Sequence, residues 1–107
     1  MSVYFQIMKQ SGPITLKEIR AVPRMAPHYE VRQVEGGTMV GVPMRPLGVA
    51  WLDYSDETGA LWLQLLPGQS EAFETILNAL RRLASCIPDA VVECEGEMFE
   101  PLPWDRP

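Results

Sequence analysis

The stretch Ala90-Val91-Val92-Glu93-Cys94-Glu95-Gly96-Glu97-Met98 alternates. Read as one strand, it turns Ala90, Val92, Cys94 and Met98 to one side and Val91, Glu93, Glu95 and Glu97 to the other, because successive side chains of a strand project to opposite faces. The residues before it carry a different period. Phe73, Ile76, Leu77, Leu80, Leu83, Ala84 and Ile87 recur at helical spacing and define one apolar face, while Glu71, Thr75, Asn78, Arg82 and Ser85 cover the other. Pro88-Asp89 turns the chain between the two. A strand that returns under the helix it has just left is the unit of an α+β layer structure, with Ala90, Val92 and Cys94 packed under Phe73, Ile76 and Leu80.

Working outward, Ser70 is placed to cap this helix, Glu71 and Glu74 favour its positive end, and Arg81 and Arg82 its negative end. Upstream, Val3 to Met8 is aromatic and β-branched and reads as a first strand, ended by Ser11-Gly12-Pro13. Thr15 stands three residues before Glu18, the spacing of a capping box, so a short helix is predicted from Leu16 to Ala21, closed by Pro23. Tyr29 to Val34 alternates like a half-buried strand. Gly36-Gly37 supplies a hairpin turn, and Thr38 to Val42 is the returning strand. Val49 to Tyr54 and Ala60 to Leu66 are two more strands around a five-residue loop, Ser55 to Gly59. The order is strand, helix, four strands, helix, strand. It predicts an antiparallel sheet with two helices on one face, a ferredoxin-like βαββαβ variant with an extra hairpin. Residues 1–98 form the single domain in this reading. Residues 99–107, with Pro101, Pro103 and Pro107, form an extended, Pro-rich C-terminal extension.

The chain has 107 residues, enough for one hydrophobic core, and its 47% hydrophobic and 21% charged content is that of a globular protein. Its net charge of −5 argues against nucleic acid as a partner, since such binding needs basic patches, and suits a basic protein instead. No apolar run approaches the ~20 residues of a membrane span. No signal-peptide pattern opens the sequence, so a cytoplasmic protein is expected. Cys86 lies at the end of the helix, and if the next strand runs back beside it, roughly four extended residues carry Cys94 about 13 Å from the turn, too far for a disulfide. Two reduced, buried thiols are expected.

Chemical constellations are sparse. His28, the single histidine, follows Pro27 in a connector, and nothing in the spacing joins it to either cysteine as a nucleophile–base pair. The cysteine and histidine spacings do not match a zinc site, and Gly36-Gly37 and Gly41 do not reproduce a phosphate loop. Asp53, Asp56 and Glu57 could offer oxygens to a cation, but Asp and Ser are favoured in turns for backbone reasons. No cofactor or metal is therefore assigned. An enzyme using Cys94 or Glu93 would need a depressed thiol pKa or a perturbed carboxylate in a pocket.

The carboxylate row Glu93, Glu95 and Glu97 either protects an exposed strand by charge or steers a basic partner. Trp51 sits between Ala50 and Leu52, only one side of which can be buried. Trp62, in an alternating strand, is expected in the core. Trp104, beside Glu100 and Asp105, has interface character, and Phe99 is expected to cover the sheet or a helix. The residues assigned to partner binding are Glu93, Glu95, Glu97, Trp104, Asp56 and Glu57.

The run Trp51-Leu52-Asp53-Tyr54, the Ser-Asp-Glu-Thr-Gly turn, Leu61-Trp62-Leu63-Gln64-Leu65, the helix Ser70 to Cys86 and then Val91-Val92-Glu93 resembles small α+β immunity proteins encoded beside bacterial polymorphic toxins, of type VI or contact-dependent systems. The resemblance covers about half the chain and lies in layout and acidity, so no individual residue role is carried over. It implies a non-enzymatic cytoplasmic protein that binds and blocks a cognate toxin, with a basic toxin domain as the fitting partner. A small-molecule-binding regulatory domain, with Gly36-Gly37, Gly41 and Arg45 as loop elements, is the alternative. Exposed sheet edges leave a homodimer open.

Overall fold

The computed structural model describes residues 3–44, 47–65 and 70–103. β1 (Val3–Lys9) leads into α1 (Leu16–Met25), followed by β2 (Glu30–Val34), β3 (Gly37–Pro43), β4 (Val49–Ser55) and β5 (Ala60–Leu65). A 3-10 turn (Ser70–Ala72) opens α2 (Phe73–Ala84), and β6 (Ala90–Cys94) and β7 (Glu97–Phe99) close the chain. The seven strands form one antiparallel sheet in the order β2-β3-β4-β5-β1-β6-β7.

The alternation of β1 decides which side is core. Phe5 and Ile7 are fully buried, while Tyr4 and Gln6 are exposed. Their partners continue the pattern: Phe5 pairs with Leu63 and Cys94, and Ile7 with Leu61 and Val92. One apolar cluster joins this face to Ile19 and Val22 of α1 and to Ile76, Leu80 and Leu83 of α2, so both helices cover the same side. Among the described residues, the other side of the sheet has no helix.

α1 starts as its sequence predicts. Thr15 Oγ1 accepts from the Glu18 backbone N–H, and Glu18 Oε1 accepts from the Thr15 backbone N–H, a reciprocal capping box. Glu18 also meets Lys9 at 3.0 Å, which ties β1 to the helix. The Thr15 backbone N–H, with Lys9 adding to it, holds the Glu18 carboxyl below its ordinary pKa. Pro23 does not close α1, which runs on to Met25. Proline removes one late hydrogen bond. The Ala26 N–H still reaches Val22 O, and burial of Ile19 and Val22 keeps the last turn in place.

Four other expectations are corrected. Ser70 does not cap α2: it begins the 3-10 turn, and the cap position is Ala72, without a side-chain bond. The β2–β3 turn is Glu35-Gly36, with Gly36 at φ +95°, because Gly37 already pairs with Val34. Ser55 pairs with Ala60, so the β4–β5 loop is one residue shorter than expected. β2 is an edge strand and mostly exposed rather than half-buried.

The largest correction falls on Ala90 to Met98. It is two strands, because Glu95 (φ +52°) and Gly96 (φ +84°) form a tight reversal. Positive φ at both central residues is the geometry of a two-residue hairpin that matches strand twist. The sheet therefore has a seventh strand. Cys94 pairs with Glu97 and Glu93 with Met98, so Met98 leaves the core side and is 59% exposed. Phe99 does pack against the core, opposite Val92. Beyond it, Arg81 Nε donates to Glu100 O at 2.7 Å and the Leu102 N–H to Arg81 O at 3.0 Å, which moors the chain to α2. Glutamate is a poor occupant of the left-handed region, and Asn-Gly the favoured pair for such a turn. Glu95→Asn is expected to stabilise the fold by about 0.5–1 kcal/mol, read as a higher urea midpoint with unchanged slope; a lower midpoint contradicts the turn geometry.

Candidate functional site on the helix-free face

Strand register lines up a single row across the uncovered face. Arg32 of β2 stands beside Met39, Met39 beside Asp53, and Asp53 beside Trp62. Trp62 stands beside Gln6, Gln6 beside Glu93, and Glu93 beside Met98 of β7. Six strand spacings make this row roughly 29 Å long. The sheet thus displays thioether, aromatic, amide and carboxylate groups together on one face.

Trp62 is the centre of the row and is 37% exposed, not core. The reason is parity: Leu61, Leu63 and Leu65 take the helix side of β5, which leaves Trp62 and Gln64 outward. Tyr4 lies next to it, with ring centroids 6.5 Å apart, and is half exposed. Trp51 also faces this side, since Ala50 and Leu52 are the buried neighbours. Its indole covers Gly41, where an added Cβ would lie 2.9 Å from the ring. The Arg32 guanidinium sits 4.6 Å over the same ring, and its Nε donates to Glu30 at 2.8 Å.

At one end of the strands, alongside the β2–β5 half of the row, the β2–β3 and β4–β5 turns enclose a cleft of about 450 Å³. Glu35, Asp53, Asp56 and Glu57 line it, with Met39 and Trp62 on the side towards the row. Asp56 and Glu57 therefore adjoin the helix-free face. The turn bearing Glu95 lies at the opposite end, because β6 runs away from the end that carries those two turns. Glu93 does join the row. Glu95 sits in the reversal, and Glu97 stands on the Cys94 side at the sheet margin, so the three carboxylates are not one row. Trp104 lies outside the described residues, as do Asp105 and the loop residue Arg45.

Charge is divided between the two sides. Lys17, Arg20 and Arg24 are on α1, Lys9 binds α1, and Arg81 and Arg82 are on α2. Among the described strand residues facing away from the helices, Arg32 is the single cation, against Glu30, Asp53 and Glu93.

The chemistry open to these groups is limited. Asp53 and Glu93 are three strand spacings apart, about 14 Å, beyond the separation at which paired carboxylates act on one bond. Glu93 Oε1 is occupied by the Gly96 N–H at 3.0 Å. Cys86 and Cys94 are free and buried. Burial raises the pKa of both thiols, and the charges of Glu95, Glu93 and Glu97 push Cys94 further, the opposite of an activated nucleophile. Among the described residues no group of three or more His, Cys, Asp or Glu could hold a metal ion. No helix among the described residues is long and apolar enough to cross a membrane.

Fold and surface together define an α+β domain whose helices shield one side of a seven-stranded sheet and leave the other as display surface. No protein-family model, curated protein or solved structure matches the chain.

Proposed function

We propose that this chain is a non-enzymatic protein-binding domain that docks a basic partner on the helix-free face, in the manner of an immunity or inhibitor protein neutralising a bacterial toxin. The observation that carries this reading is the row centred on Trp62. Exposed aromatic and Met side chains are enriched where interfaces hold most of their energy, and here they are flanked by carboxylates, with Arg32 at the β2 end the single cation among the described strand residues of that face. Asp53 and Glu93 would steer a basic surface, and Asp56 and Glu57 would extend that field along the cleft. The strand order β6-β1-β5-β4, with one helix after β1 and the other before β6, supports a ferredoxin-like core to which β2–β3 and β7 are additions. A cytoplasmic location accords with two unpaired cysteines.

The test is calorimetric titration with the product of the gene that neighbours this chain's own. Trp62→Ala is expected to weaken binding about 30-fold, the loss of one hot spot. Glu93→Lys is expected to weaken it and flatten its salt dependence, while Glu71→Lys in the 3-10 turn before α2 leaves it unchanged. Binding that ignores both Trp62 and Glu93 would refute the docking face, and a neighbour that does not bind would refute the immunity reading.

A further inference from the structure

β2 is a sheet edge, and four of its five residues are exposed. Its hydrogen-bonding direction follows from the turn. In a two-residue hairpin the closing pair exchanges backbone hydrogen bonds, and every second pair after it does the same. Val34–Gly37 is the closing pair, so Val34, Arg32 and Glu30 bond to β3. Val31 and Gln33 turn their N–H and C=O groups outward. Among the described residues no strand pairs with β2 on that side, and an open edge of this length is a template for another strand, whereas the opposite edge, β7, has only three residues.

We propose that the strand which pairs here is β2 of a second copy of this chain, antiparallel, about a two-fold axis through Val31. Charge selects both occupant and register. In the register centred on Val31, Glu30 stands opposite Arg32 of the second copy, and by symmetry Arg32 opposite its Glu30. The neighbouring registers that keep the same hydrogen-bonding residues outward are centred on Arg32 or on Glu30. They set like charges directly opposite each other, which is destabilising. On the helix side the same register brings Val31 against Val31, beside Val40, and so extends the apolar core across the junction. Within one copy the Glu30–Arg32 contact is exposed at both ends, 54% and 58%, so sharing it between copies sacrifices little. A two-fold axis normal to the sheet keeps all helices on one side. The product is a continuous sheet of fourteen strands (two times seven) with its helix-free face doubled in width. The pairing does not depend on the proposed toxin partner.

The experiment is sedimentation equilibrium of the full chain over a range of concentrations and salt. A monomer–dimer equilibrium weakened by salt is expected. Glu30→Arg and Arg32→Glu, both at exposed positions, are each expected to weaken dimerisation at least about ten-fold. The double variant E30R/R32E restores it, and the two single variants, each carrying one sign of charge on this edge, pair with each other when mixed. Amide exchange at Val31 and Gln33 slows as protein concentration rises. A chain that stays monomeric throughout overturns the proposal. So does a dimer indifferent to the charge swap, which would place the contact on the open face, or an edge protected only when a foreign strand is added.

Discussion

Gly59→Ala is expected to lower the unfolding free energy by about 3 kcal/mol. Two effects act together at this residue. Gly59 has φ +65°, in the left-handed region where a Cβ meets its own backbone. That Cβ would also lie 2.2 Å from Pro13 Cβ and 2.5 Å from Pro13 Cα. The neighbour cannot step aside. Pro13 is a rigid ring, and the next residue is held twice: the Ile14 N–H donates to Gly59 O at 2.8 Å, and Tyr54 Oη donates to Ile14 O at 2.7 Å. The substitution therefore strains the β4–β5 loop and prises the segment before α1 off the sheet. Gly48→Ala separates the two effects. Gly48 has φ +89° but nothing within 4 Å of its Cβ position, so it should lose only about 1 kcal/mol. Urea unfolding of both variants gives the comparison. Equal losses would mean that the contact with Pro13 is not close.

The second large effect is expected at Phe5. Phe5→Ala should cost about 3–5 kcal/mol, the usual range for emptying a buried aromatic site. Phe5 is fully buried on the strand between β5 and β6, its ring centroid 5.3 Å from that of Phe73 on α2. A small domain has only about 5–15 kcal/mol in total, so the variant should be close to unfolding at 37 °C. Tyr4→Ala, one residue earlier and half exposed, should change stability by less than about 1 kcal/mol. Thermal melts of the pair test which face of β1 is core. Similar losses at the two positions would refute the one-sided sheet.

The capping box was legible because Thr15 and Glu18 satisfy each other's neighbours over three residues, whatever the rest of the chain does. The strands β1, β4 and β5 were legible for the same reason, since alternation is local. Glu95-Gly96 was missed because the alternation continues unbroken through it. Gly96 inside an apparent strand was the one available signal. Trp62 was misplaced because period two shows that two faces exist but not which one a helix will cover. Gln64 beside it, polar on the same parity, pointed outward.

By itself the sequence determined an α+β chain with net negative charge, two helices on one face of an antiparallel sheet, a core stripe on β1, β4, β5 and both helices, and two free thiols. These follow from periodicity, composition and spacing, which act within a few residues. Tertiary structure alone decided which parity of β5 the helices cover, that β1 lies between β5 and β6, and that Arg32, Asp53, Trp62 and Glu93 share a row. Turns between consecutive strands set part of that row, but Trp62 meets Gln6 and Glu93 only through β1, whose register with the sequence-distant β5 and β6 is set when the apolar face of the sheet closes against the helices.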